Sequence, residues 1–148
     1  MVDDIDRHLV ARLQQDATTP YAALGEAVGL STAAVHDRVR KLKERGVIRR
    51  STVDVDEAAL GRGVLAFVQL EADRWMGEAA TAQALAAVTE VLEAHVIAGP
   101  ATILTKVRAT STADLQAVLR KLHAVDGVTR TRTMVVLDTF FERPVDPR

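Results

Sequence analysis

Residues 24–46 read LGEAVGLSTAAVHDRVRKLKERG, and this stretch decides the fold. Gly29 suits the left-handed turn that stops a helix, Leu30 supplies an apolar plug, and Ser31 is a good N-cap for a helix that follows at once. Within 32–45 the apolar residues Val35, Val39 and Leu42 fall at i, i+4 and i+7, one face of a helix, and Gly46 ends it. The other face carries Thr32, Ala33, His36, Asp37 and Arg40. Upstream, Thr19-Pro20 reads as a cap and a first-turn proline opening the short helix YAALGEAV, with Leu24, Ala27 and Val28 turned inward. Two helices joined by a short glycine-containing turn make a helix-turn-helix, whose second helix is the one that enters a DNA major groove.

Charge supports this. The net charge of -1 hides a local imbalance: residues 1–50 hold nine Lys/Arg against seven Asp/Glu, the rest ten against thirteen. Arg38, Arg40, Lys41, Lys43, Arg45, Arg49 and Arg50 lie on and just after the second helix, opposed in that span only by Glu44. A basic run alone is usually a solvated helix face; after a helix-turn-helix it is a phosphate-seeking patch. Residues 3–16 form a preceding helix, with Ile5, Leu9 and Leu13 on one face and Asp3, Asp4 and Asp6 at the positive end of its dipole. Val47-Ile48 and Ser51-Thr52-Val53 read as a short extended segment, which makes the module winged.

From Val64 onward the pattern becomes strand, helix, strand, strand, helix, strand: 64–71, 78–88, 91–98, 102–109, 112–125 and 128–140. Gly99-Pro100 splits the middle strands, and Ser111 with Asp114 resembles a capping box. The expected fold class is α+β: a winged helix-turn-helix DNA-binding domain over 1–50, a connection over 51–63, and a ferredoxin-like βαββαβ domain over 64–148. In the first strand Leu65 and Phe67 alternate with Val64, Ala66, Val68 and Leu70, so the face left open by the helices is apolar. A second copy of the same sheet covers it most simply, which predicts a homodimer pairing two DNA-reading helices.

Other chemistries lack their residues. There is no cysteine, hence no disulfide, thiolate metal site or thiol nucleophile, as suits a reducing cytosol. No apolar segment approaches the roughly 20 residues of a membrane span, and cytoplasmic residence is expected. Gly61-Arg62-Gly63-Val64-Leu65-Ala66 matches a dinucleotide fingerprint but precedes a strand instead of linking strand to helix. Asp54, Asp56 and Glu57 lack the spacing of a calcium loop, so no metal site is expected.

The chain resembles the Lrp/AsnC family of feast/famine transcription regulators over essentially its whole length. The resemblance rests on IDRHLVARLQQDA near the start, on Leu24, Val28, Gly29, Leu30 and Ser31, on Val35, Arg38, Leu42, Gly46 and Ile48, and on TRTMVVL at the end of the βαββαβ half. It implies a hinge strand and linker over 51–63, a ligand-sensing and oligomerisation role for the ferredoxin-like domain over 64–148, a dimer often assembled further into tetramers or octamers, and an amino acid or related small metabolite bound near the glycine loop of that domain. Where the family commonly reads Gly-Asp-Tyr-Asp, this chain reads Gly99-Pro100-Ala101-Thr102, keeping the glycine and losing both carboxylates and the ring.

The expected DNA contacts are Ser31, Thr32, Ala33, His36 and Arg40 at base edges and Arg38, Lys41 and Lys43 at phosphates, with Arg38 alternatively structural. Gly99, Ala101, Thr102, Thr131 and Thr133 are the expected effector contacts, supplying amides and hydroxyls in place of the lost charges. No cofactor beyond that effector is expected, and the partners are double-stranded DNA and a second copy. Two alternatives stand beside this: an architectural DNA binder without an effector, and an enzyme like the haem-pathway decarboxylases of similar architecture. Against the second, His95 and His123 stand alone, without a histidine partner at catalytic spacing.

Overall fold

The structure is a computed structural model and describes residues 2–147. The chain divides into two compact units, one running through Asp54 and taking in the tail from Phe141, the other spanning Val55–Phe140.

The first unit contains α1 (Asp4–Gln15), α2 (Tyr21–Val28) and α3 (Thr32–Glu44). Leu9, Leu24, Val35 and Val39 are buried at its centre, ringed by Ile5, Leu13, Tyr21, Val28, Leu30 and Ile48. The Asp3 side chain accepts from the Asp6 amide at 2.8 Å and opens α1. Between α2 and α3 stand only Gly29, Leu30 and Ser31: Gly29 takes a φ of 71°, the Leu30 amide donates back to Gly25 at 2.9 Å, and Ser31 Oγ accepts from the Ala34 amide at 3.2 Å. Gly46, also at a φ of 71°, turns the chain off α3, and the Val47 amide donates to Leu42.

Three local expectations change. Pro20 itself occupies the N-cap of α2 without a side-chain cap bond, because the Thr19 hydroxyl donates backwards to the Asp16 carbonyl. Ala27 is exposed, since Leu24 and Gly25 fill the inward face of so short a helix. No strand forms between Ile48 and Gly63, so the expected wing and hinge strand are irregular backbone: Val53 and Val55 lie exposed, with no ladder partner among the described residues.

The second unit is a four-stranded antiparallel sheet of β1 (Val64–Ala72), β2 (Val91–Val96), β3 (Ile103–Ala109) and β4 (Val128–Val135), in the order β2-β3-β1-β4. α4 (Ala79–Ala86) follows β1 and α5 (Thr112–His123) follows β3, the expected βαββαβ sequence of elements. Ala66, Val68 and Leu70 of β1 and Ile103, Val107 and Ala109 of β3 form one buried layer with Leu85, Leu115, Val118 and Leu122 from the helices. Ser111 Oγ accepts from the Asp114 amide at 3.0 Å, while Asp114 reaches the Thr110 amide at 2.9 Å, so the box closes one residue early.

β4 ends at Val135 instead of Phe140 because its partner β1 begins at Val64: the Val136 amide donates to the Leu65 carbonyl, and beyond it only Val64 of β1 remains. The open face is less exposed than its alternation predicts. Leu65 is buried within the single chain beside its register partner Arg108, and Phe67 is half-buried. Among the described residues no helix is long and apolar enough to cross a membrane.

Candidate nucleic-acid interface and effector loop

α3 packs Val35, Val39 and Leu42 inward and presents the rest to water. Ser31, Thr32, Ala33, His36 and Arg40 are all exposed, and because 32, 33, 36 and 40 recur at helical spacing they form one surface from the N-terminus of α3 to its middle. The His36 ring meets Tyr21 of α2 edge-on, with centroids 5.7 Å apart, which steadies a side chain that is otherwise in solvent.

Arg38 behaves differently. Its Nη1 donates to Asp3 at 2.7 Å and to Asp6 at 2.8 Å, both on the α1 side of the unit. Those hydrogen bonds raise the guanidinium pKa above its usual value, Asp3 contributing more than Asp6. Arg38, read from the sequence as a phosphate contact or alternatively as structural, thus ties α3 to α1.

Arg40 and Lys41 are paired within the helix. Arg40 donates through Nη2 to Asp37 and through Nη1 to Glu44 at 2.7 Å, and Lys41 Nζ lies 2.7 Å from the other Asp37 oxygen. Hydrogen bonds from Lys41 and then Arg40 hold the Asp37 carboxyl below the usual carboxylate range. Lys43 stands on the other flank, lining a recess of about 360 Å³ with Leu13, Tyr21, Ile48 and Arg50. Sequence reading missed the Asp37–Glu44 bracket, although the i,i+3 and i,i+4 spacings that create it are legible.

In the second unit, Gly99 takes a φ of 151°, Ala101 is buried, and the Thr102 amide donates to the Leu70 carbonyl at 2.9 Å. The predicted effector residues do not converge within one protomer. Leu70 pairs with Ile103 on one side and Thr131 on the other, so β1 stands between the Gly99–Thr102 loop and β4. Two strand spacings put the groups roughly 10 Å apart. Thr131 and Thr133 pair with Leu70 and Val68 and share the helix-covered face, whereas Arg130 and Arg132 lie on the open face near Glu71. Gly99, Ala101 and Thr102 therefore form one candidate surface and the two threonines another. His95 Nε2 lies 3.1 Å from Glu93 on exposed β2, and His123 is exposed at the end of α5. No group of three potential metal ligands occurs among the described residues.

Residues 2–43 match the model of the AsnC-type helix-turn-helix domain, and residues 64–146 match that of the Lrp/AsnC ligand binding domain. The chain is 33% identical over 143 residues to the HTH-type transcriptional regulator FL11 of Pyrococcus abyssi, covering 95% of this chain and 93% of that relative. Among solved structures it is similar to the feast or famine regulatory protein from M. tuberculosis complexed with L-methionine, with a TM-score of 0.88, 31% identity and 96% of each chain covered. It is likewise similar to E. coli AsnC, with a TM-score of 0.86, 32% identity and 99% of each chain covered.

Proposed function

Because this chain belongs to the Lrp/AsnC family of transcription regulators, we propose that it binds double-stranded DNA through α3 and answers a small metabolite through the unit carrying β1 to β4. The observation that carries the reading is the exposed face of α3, where Ser31, Thr32, Ala33, His36 and Arg40 follow a three-residue glycine turn and basic side chains flank them. Ser31, Thr32, Ala33, His36 and Arg40 meet base edges; Lys41 and Lys43 meet phosphate; Arg38 holds the helix in place.

A homodimer sets two copies of α3 on two half-sites, so an effector that favours one arrangement of protomers changes DNA affinity. The effector class is an amino acid or a related metabolite, supported by the methionine bound to the M. tuberculosis relative. Gly99, Ala101 and Thr102 form one side of its site, with Thr131 and Thr133 contributed from elsewhere in the assembly. The matched relatives are transcription regulators, so no catalytic role is proposed, and the place of action is the cytoplasm. One observation favours a second reading, DNA binding without an effector: residues 97–102 hold no carboxylate to receive an α-ammonium group.

The test is a titration of the full chain on duplex DNA from the region upstream of its own gene, at fixed salt, with and without a panel of amino acids. Specific binding that an amino acid shifts supports the sensor reading, and binding without any shift supports the second. Absence of binding to any duplex at low salt overturns both.

A further inference from the structure

We propose that Asp37 is a specificity determinant, an anionic filter that withholds Arg40 and Lys41 from the phosphates of non-matching DNA. The inference rests on the assignment of α3 to the major groove. Each oxygen of the Asp37 carboxylate serves a different cation: one accepts from Arg40 Nη2, the other lies 2.7 Å from Lys41 Nζ. Glu44 takes the second Arg40 nitrogen at 2.7 Å, so the guanidinium is held from both sides. By contrast, Lys43, Arg45, Arg49 and Arg50 face no carboxylate at ion-pair distance among the described residues.

All four members of this bracket are about half exposed, with side chains between 46% and 59% accessible. Pairs so exposed contribute little to stability and exchange readily. Their consequence falls on competing anions. A phosphate that takes Arg40 or Lys41 must compete with a carboxylate or bind beside it, and either way an ionised carboxylate stays next to the DNA backbone. Every duplex offers the same phosphates, whereas only a matching one offers base edges that accept a guanidinium with two hydrogen bonds. The bracket therefore weakens binding to all DNA, and the base contact makes up the loss only where the sequence matches. The four unbracketed cations remain to supply general attraction, so the filter acts on Arg40, which belongs to the reading surface, and on its neighbour Lys41.

The experiment is fluorescence anisotropy of the full chain on a random-sequence duplex across a range of salt. Asp37→Asn is expected to bind about eightfold tighter at 0.1 M salt, with a log–log salt slope steeper by about 0.9, as one more phosphate is neutralised. Glu44→Gln should move in the same direction and carries the test if circular dichroism shows that Asp37→Asn disturbs the helix. In an Arg40→Gln/Lys41→Gln background the Asp37→Asn gain should vanish. Asp4→Asn removes the same charge from the first turn of α1 and should change affinity by less than about twofold. The filter is overturned if Asp37→Asn and the wild type bind alike, if the gain survives loss of both cations, or if Asp4→Asn reproduces it. A wild type that binds no duplex at low salt instead overturns the assignment of α3, and the filter with it.

Discussion

Arg38 of α3 reaches back across 32 residues to Asp6 of α1, donating to its carboxylate at 2.8 Å where the Asp6 side chain is only 9% accessible. A charge buried that far is tolerated because it is paired, and removing the partner leaves it uncompensated. Arg38→Gln should therefore destabilise the first unit by about 1.5–3 kcal/mol, the range for a hydrogen bond to a charged group. Chemical denaturation measures that loss. DNA affinity, taken well below the unfolding transition, should fall less than it does for Arg40→Gln; an Arg38→Gln chain of full stability and lost DNA binding would return Arg38 to the DNA surface.

The same cluster sets an acid limb. The Asp6 amide and then the Arg38 guanidinium hold the Asp3 carboxyl below its ordinary value of 3.8. A carboxyl depressed in the folded state binds fewer protons there than when unfolded. Its contribution is thus complete above the ordinary value and is lost as pH falls through the folded one. Denaturation midpoints followed from neutral pH down through that window should decline more steeply for the wild type than for Asp3→Asn, which lacks the titrating group. Parallel declines would show that other carboxyls govern the acid limb.

Helix periodicity and glycine punctuation made α1, α2, α3 and the βαββαβ order legible, because each buried stripe recurs at its own element's spacing. Partners far apart in the chain were not. Arg38 could be seen to be basic, but nothing local tells a guanidinium aimed at α1 from one aimed at solvent. The β propensity of Ser51-Thr52-Val53 likewise implies a strand, yet a strand needs a neighbour, and none pairs there among the described residues. The two-residue alternation of β4 puts Thr131 and Thr133 on one face. Their distance from Gly99 followed only once the strand order put β1 between them.

Gly25 shows a close approach that spacing did not reveal. It is buried in α2, and a Cβ added there would collide with the Leu30 carbonyl oxygen, on the far side of the turn whose amide already donates to Gly25. Because the obstacle is backbone, the turn itself must shift. Gly25→Ala should cost about 1–3 kcal/mol, despite the better helix propensity of alanine. It should also move α3 relative to α2, so that thermal stability and DNA affinity fall together; a variant as stable as the wild type would show that the turn yields freely.

Gly99 poses the opposite problem, with open space and a demanding backbone. No atom lies within 4 Å of a Cβ built on it, yet its φ of 151° is one that residues with side chains rarely adopt. Gly99→Val therefore acts by re-routing the β2–β3 loop, not by collision, and the loop carries Ala101 and Thr102 with it. The core beneath is anchored independently by Ile103, Val107 and their β1 partners, so global stability should drop by only about 1–2 kcal/mol. Binding to a random-sequence duplex should be unchanged, because α3 lies in the other unit. Any amino-acid-dependent shift in binding to the upstream duplex should be lost. A shift retained in Gly99→Val would move the effector site away from this loop, to the face that carries Thr131 and Thr133.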